Sequence, residues 1–182
     1  MPTLKGKAKA KNRKRKSADR RKKFEKYKKR MIAEIRLFDA PVLKEECLNI
    51  EYEAQSRPII GDLGRILAVT DNGVGLAAPQ IGRPKRIIAL RPDGMGTDIY
   101  FMIHPEIVAH SEETRVGSEG CLSYPGIVTP IKRFKEITVE YLDKEFNQQR
   151  KSFSDFVAVV IQHEVDHLFG ICRVGDVWRE KQ

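Results

Sequence analysis

One stretch of five residues, His163-Glu164-Val165-Asp166-His167, has the types and spacing for metal chemistry. On a helix, side chains four apart lie one above the other. His163 and His167 would then offer two imidazoles to one ion. Glu164 is offset from that face, so it reaches a water on the metal rather than the metal itself, where it can take and return a proton. The plainer alternative is a pair of core histidines. A catalytic ion wants a third protein ligand and an open position. No His or Glu follows at metalloprotease spacing except Glu180 near the end, so the upstream candidates are Cys121, His104 and His110. Cys121 lies in Glu119-Gly120-Cys121-Leu122-Ser123, where Gly120 lets a backbone come close. A thiolate is a strong ligand for borderline and soft metals, although a single cysteine is more often a small buried residue. A third segment, Gly73-Val74-Gly75-Leu76-Ala77-Ala78-Pro79-Gln80, is a small-residue loop in which Gln80 offers an amide donor. It lacks the Gly-Lys-Ser or Gly-Lys-Thr ending of a phosphate loop. Alone, it reads as a tight turn.

The elements that must position these residues follow from the hydrophobic pattern. Ser154 can cap a helix from Asp155 to about Phe169, which Gly170 ends. Phe156, Val157, Val159, Val160, Ile161, Val165 and Leu168 make it apolar almost all round, the mark of a helix in the middle of a core. Residues 57–70 read as a second helix, and 86–90 and 99–103 as strands around a Gly-rich turn at 93–96. Glu136–Leu142 alternates, with Ile137, Val139 and Tyr141 on one face of a half-buried strand. Strands followed by a buried helix favour an α+β fold over alternating βαβ units.

The chain has 182 residues and a formal net charge of +9, distributed unevenly. Residues 1–30 hold 16 Lys and Arg against Asp19 and Glu25, a net of +14, and the remainder carries −5. The expected organisation is a basic N-terminal arm, 1–30, and a catalytic domain, 31–182. The first half of the arm has almost nothing to bury and is expected to be disordered alone. Ser17 to Arg30 has helix formers, and Phe24 and Tyr27 would share a helical face. No apolar run approaches the ~18 to 20 residues of a membrane helix, and the arm has no apolar stretch of the kind a secretory signal needs. Three scattered cysteines, Cys47, Cys121 and Cys172, argue against a disulfide framework and for a reducing, cytoplasmic compartment. Cys47 and Cys172 are read as structural.

Taken together, the three segments at 73–80, 119–123 and 163–167 resemble the motifs of the peptide deformylases, in the family's order. The resemblance covers roughly residues 35–175. It implies an α+β fold with antiparallel sheets wrapped around a central metal-binding helix. It implies that Cys121, His163 and His167 bind one divalent metal ion, usually Fe2+, with Zn2+, Ni2+ or Co2+ able to substitute. Glu164 would be the acid and base, and the Gln80 amide and Leu122 N–H would hold the oxyanion. Gly75 and Gly120 would flank the substrate backbone. The implied reaction is removal of the formyl group from N-formylmethionyl peptides by metal-activated water, releasing formate. Phe156, Val159 and Val160, one to two turns before His163, can line the methionine pocket; plain core packing is the other reading. Asp166 is expected to pair with Arg133 behind the ligands.

The chain departs from the family at several points. Only twelve residues follow Gly170, too few for the long C-terminal helix with which many members dock on the ribosome. The basic arm is expected to replace it and bind the ribosome or ribosomal RNA, against a merely solubilising or targeting tail. Val128 stands where some members carry a basic residue. His104-Pro105 stands where Asn-Pro is common, which makes His104 structural rather than a ligand. A viral or organellar origin fits a compact member of this family. The alternatives are a metallopeptidase, a nucleic-acid-binding protein with a structural metal, and an inactive relative.

Overall fold

The computed structural model describes residues 4–94 and 96–180. The elements run α1 (Leu4–Ile32), α2 (Glu53–Val69), β1 (Gly75–Ala77), β2 (Ile87–Leu90), β3 (Tyr100–His110), β4 (Thr114–Cys121), β5 (Tyr124–Phe134), β6 (Glu136–Leu142), β7 (Gln148–Ser154), α3 (Asp155–Leu168) and α4 (Arg173–Arg179). The strands form a five-stranded antiparallel sheet, β1-β2-β3-β6-β7, and a two-stranded ribbon, β4-β5. The expected α+β class and central helix are what the chain adopts.

β2 shows how the layers are made. All four of its residues are buried, yet successive side chains point to opposite faces. Ile87 and Ala89 join Leu63, Ile66 and Leu67 of α2 on one side. Ile88 and Leu90 join Ile161, Val165 and Leu168 of α3 on the other. β6 covers α3 with Ile137, Val139 and Tyr141, while its other face is not buried, as its alternation predicts. α3 touches both the sheet and the ribbon. Its buried residues include Glu164 and His167, so the motif sits inside the protein.

The N-terminal helix is longer than its composition suggests. α1 begins at Leu4 and includes the stretch expected to be disordered, with residues 1–3 outside the described residues. Lys, Arg and Ala are good helix formers, and no proline follows Pro2 until Pro41. Among the described side chains, α1 packs into the core at its C-terminal end, through Tyr27 and Met31. Lys28 Nζ pairs with Asp71 at 2.5 Å. Phe24 is exposed.

Other bounds also differ. α2 starts at Glu53, four residues before the expected start, with Pro58 inside it. β3 continues past 103 to His110: His104, at φ 52°, forms a bulge that accommodates Pro105, and pairing with β6 resumes at Glu106. The small-residue loop is not only a turn, since Gly75–Ala77 form β1. α3 ends at Leu168, and Gly170 (φ 68°) turns the chain away.

Candidate metal centre and substrate cleft

The site lies where β1, the β4-β5 turn and α3 converge. Cys121 ends β4. His163, Glu164 and His167 come from α3. Gln80 comes from a 3-10 turn after β1 that begins at Ala78 and Pro79. Buried Arg91 holds the approach to β1 in place. Its guanidinium donates to the carbonyls of Leu67 (2.6 Å) and Thr70 (3.4 Å) at the end of α2 and of Gly73 (3.1 Å) in the loop that follows.

The His167 Nε2 lies 3.2 Å from Cys121 Sγ. The rings of His163 and His167 have centroids 5.0 Å apart. Burial, then the neighbouring His163 and Arg133, holds the His167 pKa well below the usual histidine range, so its ring is neutral and able to ligate. Glu119 accepts a hydrogen bond from His163 Nδ1 at 2.9 Å. Burial would raise the Glu119 pKa, but hydrogen bonds from His163 and Arg133 outweigh it and hold the group at about 2. An ionised Glu119 must accept, so Nδ1 is protonated and Nε2 of a neutral His163 carries the lone pair. Burial opposes a proton on His163, while Glu119 and Glu164 favour it, and the net shift is upward. Arg133 is buried and binds Glu119 twice, at 2.8 and 3.0 Å, and Asp166 at 2.5 Å. The Arg133–Asp166 pair is thus present, with Arg173 donating to the same Asp166 oxygen at 2.8 Å.

Glu164 has a different environment. Burial raises its pKa to about 7, and one carboxyl oxygen has no hydrogen-bond partner. The carboxyl group lies against β1: a Cβ built on Gly75 would fall 2.3 Å from Glu164 Oε1. Gly75 is therefore the residue that admits Glu164. Gln80 accepts from the Ala77 N–H at 2.8 Å and donates to Ser123 Oγ at 3.1 Å, with its amide nitrogen 3.6 Å from Cys121 Sγ. A Cβ on Gly120 would meet Ile127 O at 3.5 Å and Val128 Cγ2 at 3.9 Å, both ordinary contacts, so no protein neighbour requires glycine there.

These groups open into a cleft of about 640 Å³. Phe156, Val159 and Val160 form part of its apolar wall, beside His163 and Glu164. Phe156 is 46% exposed, so its side chain borders the cleft, while Val157 and Ala158 of the same turn pack into the core. Gly75, Gln80, Gly120, Cys121 and Leu122 border it as well. Ile32 and Ile35, at and just beyond the end of α1, complete one side.

Two residues were missed in the sequence. Glu119, adjacent to Gly120 in the second motif, has a partner 44 positions away that no local pattern reveals. Cys172, read as structural, stands beside the Cys121 thiol. Among the described residues, the ligand atoms of Cys121, His167 and Cys172 lie within 4.8 Å of one another, a set that omits His163. The hydrogen bond with Cys121, against burial, lowers the Cys172 pKa to about 7; the same contact and burial raise that of Cys121. His104 and His110, the other upstream candidates, serve elsewhere. His104 Nε2 accepts from the Ile50 N–H at 2.7 Å, and His110 stacks on Phe134. Cys47 packs in the α3 core.

A thiol, two imidazoles and an unpartnered carboxyl oxygen at the wall of an apolar cleft are groups that could hold a metal ion and move a proton beside it. The comparisons then place the chain. The polypeptide deformylase family model matches residues 32–182, and this protein belongs to that family. It is 41% identical over 142 residues to the peptide deformylase of Pseudothermotoga lettingae, across 78% of this chain and 80% of the relative. The crystal structure of peptide deformylase from Thermotoga maritima superposes with a TM-score of 0.72 and 34% identity, covering 78% of this chain and 94% of that one. A probable peptide deformylase from Synechococcus phage S-SSM7 gives 0.71 and 30%, covering 78% and 97%.

Proposed function

We propose that Cys121, His163 and His167 hold one divalent metal ion and that Glu164 is the acid and base of this peptide deformylase. The enzyme removes the formyl group from the N-terminal formylmethionine of nascent polypeptides and releases formate. The observation that carries the assignment of roles is the Glu164 carboxyl group, buried beside the histidines with one oxygen unpartnered and a pKa near 7. A general base works best with a pKa near the operating pH.

The donor set fits such an ion: the thiol and the His167 Nε2 are already 3.2 Å apart, and Glu119 orients His163. When bound, the ion supplies an activated water and a Lewis acid for the formyl carbonyl. Thiolate and imidazole donors suit Fe2+, Zn2+, Ni2+ and Co2+; we take Fe2+ as the native ion. Glu164 takes a proton from the attacking water and delivers it to the leaving amine. One Gln80 N–H is held by Ser123, and the other, on the Cys121 side, would face the developing oxyanion with the Leu122 N–H. Such donors contribute about 3 kcal/mol each. The wall of Phe156, Val159 and Val160 would take the methionine side chain. Gly75 and Gly120 would leave room for the peptide backbone.

The basic arm, 1–30, is assigned as an element appended to the catalytic domain, 31–182. With a net +14, it would bind ribosomal RNA through its phosphates. No helix among the described residues is long and apolar enough to cross a membrane, and we assign the enzyme to the cytoplasm where nascent chains emerge.

The test is formate release from formyl-Met-Ala-Ser by anaerobically purified, metal-counted protein, with the unformylated peptide alongside. Formate without peptide-bond cleavage is expected. Glu164→Gln should keep the metal and lose about 10²- to 10⁴-fold in rate, whereas His163→Ala should lose both. Full turnover in Glu164→Gln would remove its assigned role. Cleavage of the unformylated peptide would favour a metallopeptidase.

A further inference from the structure

Cys172 precedes α4, and its position is fixed by that helix. Val174 and Trp178 pack with Tyr124 and Ile131 of β5. Gly175 permits the approach, since a Cβ there would fall 2.3 Å from the Tyr124 ring. The packing brings the Cys172 sulfur within 4.8 Å of the Cys121 sulfur, and a His167 ring nitrogen lies within the same distance of both. Cys121 borders the open cleft, so a small oxidant reaches it. Cys172 is half-buried and packs against the cluster that holds Cys121. The third cysteine, Cys47, is buried in the α3 core.

We propose that Cys121 and Cys172 form a modification site for hydroperoxides, in which Cys172 captures the oxidised Cys121 sulfur as a disulfide. In the first step the Cys121 thiol attacks hydrogen peroxide and gives up its proton. An S–O bond forms, the O–O bond breaks, and hydroxide leaves and takes up a proton. In the second, the Cys172 thiolate attacks that sulfur. The S–S bond forms, and the sulfenic oxygen leaves as a second water. Two thiols and one peroxide give one disulfide and two waters. The sulfurs close from their present contact to the ~2.0 Å bond, a movement of less than about 3 Å. Capture at the sulfenic stage keeps Cys121 from the sulfinic and sulfonic acids, which ordinary thiols do not reverse. The linkage itself needs only the paired thiols. That it also expels the metal rests on the reading of Cys121 as a ligand.

The experiment treats full-length, metal-loaded enzyme with graded hydrogen peroxide, blocks remaining thiols with N-ethylmaleimide, and maps peptides without reduction. Metal in the filtrate is measured in parallel. The expected product is one cross-linked peptide pair containing Cys121 and Cys172, two hydrogens lighter than the free thiols and cleaved by dithiothreitol. In Cys172→Ser, Cys121 should instead gain two or three oxygens that dithiothreitol does not remove, and Cys172→Ala should behave alike. Alkylated Cys172 beside an over-oxidised Cys121 in the wild type would overturn the proposal, as would a cross-link to Cys47. A Cys121–Cys172 link with metal fully retained would support the modification site and overturn the ligand role of Cys121.

Discussion

Glu119 lies two residues before Cys121, accepts from the His163 ring and is held from behind by Arg133. It therefore links the metal centre to the interior of the protein. Replacing it by glutamine removes the charge that fixes the His163 tautomer, and the expected loss in metal affinity is about 10- to 100-fold, read by competition with a chelator. The same residue makes a pH-dependent contribution to folding. Its pKa falls from an ordinary 4.5 to about 2. A depressed carboxylate contributes stability that is fully present above pH 4.5 and is lost as the pH falls through about 2. A shift of that size is worth on the order of 3 kcal/mol. Melting of metal-free wild type and Glu119→Gln should differ at pH 6 and converge below about pH 2. An unchanged gap would mean that Glu119 stays ionised on other grounds. The proposed ligands and Glu164 can be named from the sequence because three local motifs carry them. Glu119 and Cys172 cannot, because each acts through a partner far away in sequence.

The elements divide by how much of their pattern is local. β6 is found at its expected bounds because one face is buried and the other is not. α3 is found because it is long and apolar. β4 has a side chain buried only at Glu119 and Cys121; a ribbon so open has no alternation to read. β1 is buried throughout but built of small residues, and its glycine serves Glu164 rather than a turn. β3 was cut short at His104-Pro105 because a bulge cannot be told from a stop in one sequence. At the end of α3, Gly170 combines a positive φ with a close approach to the backbone of Lys44, where an added Cβ would fall 2.6 Å from both C and O. Gly170→Ala should therefore cost more than the about 1 kcal/mol of a left-handed alanine alone. A lowered Tm is the readout, and an unchanged Tm would show that the loop at Lys44 moves aside freely.

Across the whole molecule, the basic arm and the catalytic domain share a helix. Removing residues 1–30 would take Tyr27 from the core and break the Lys28–Asp71 pair, confusing docking with stability. Removing 1–22 keeps both contacts and discards most of the charge. That truncation should weaken ribosome binding at moderate salt and flatten its salt dependence, while kcat/KM on a formylated tripeptide stays unchanged. Ribosome binding equal to wild type would remove the arm's proposed role. α1 is 29 residues long, so at ~1.5 Å per residue it spans about 44 Å. Its last turn ends in the cleft wall at Ile32. An extended peptide covers the same span in about 12 to 13 residues, at ~3.3–3.6 Å each. With the far end of α1 on ribosomal RNA, as proposed, and the tip of the nascent chain in the cleft, that chain would have to be at least about 12 to 13 residues long to cover the helix's length. The arm would thus act as a length gauge as well as a tether.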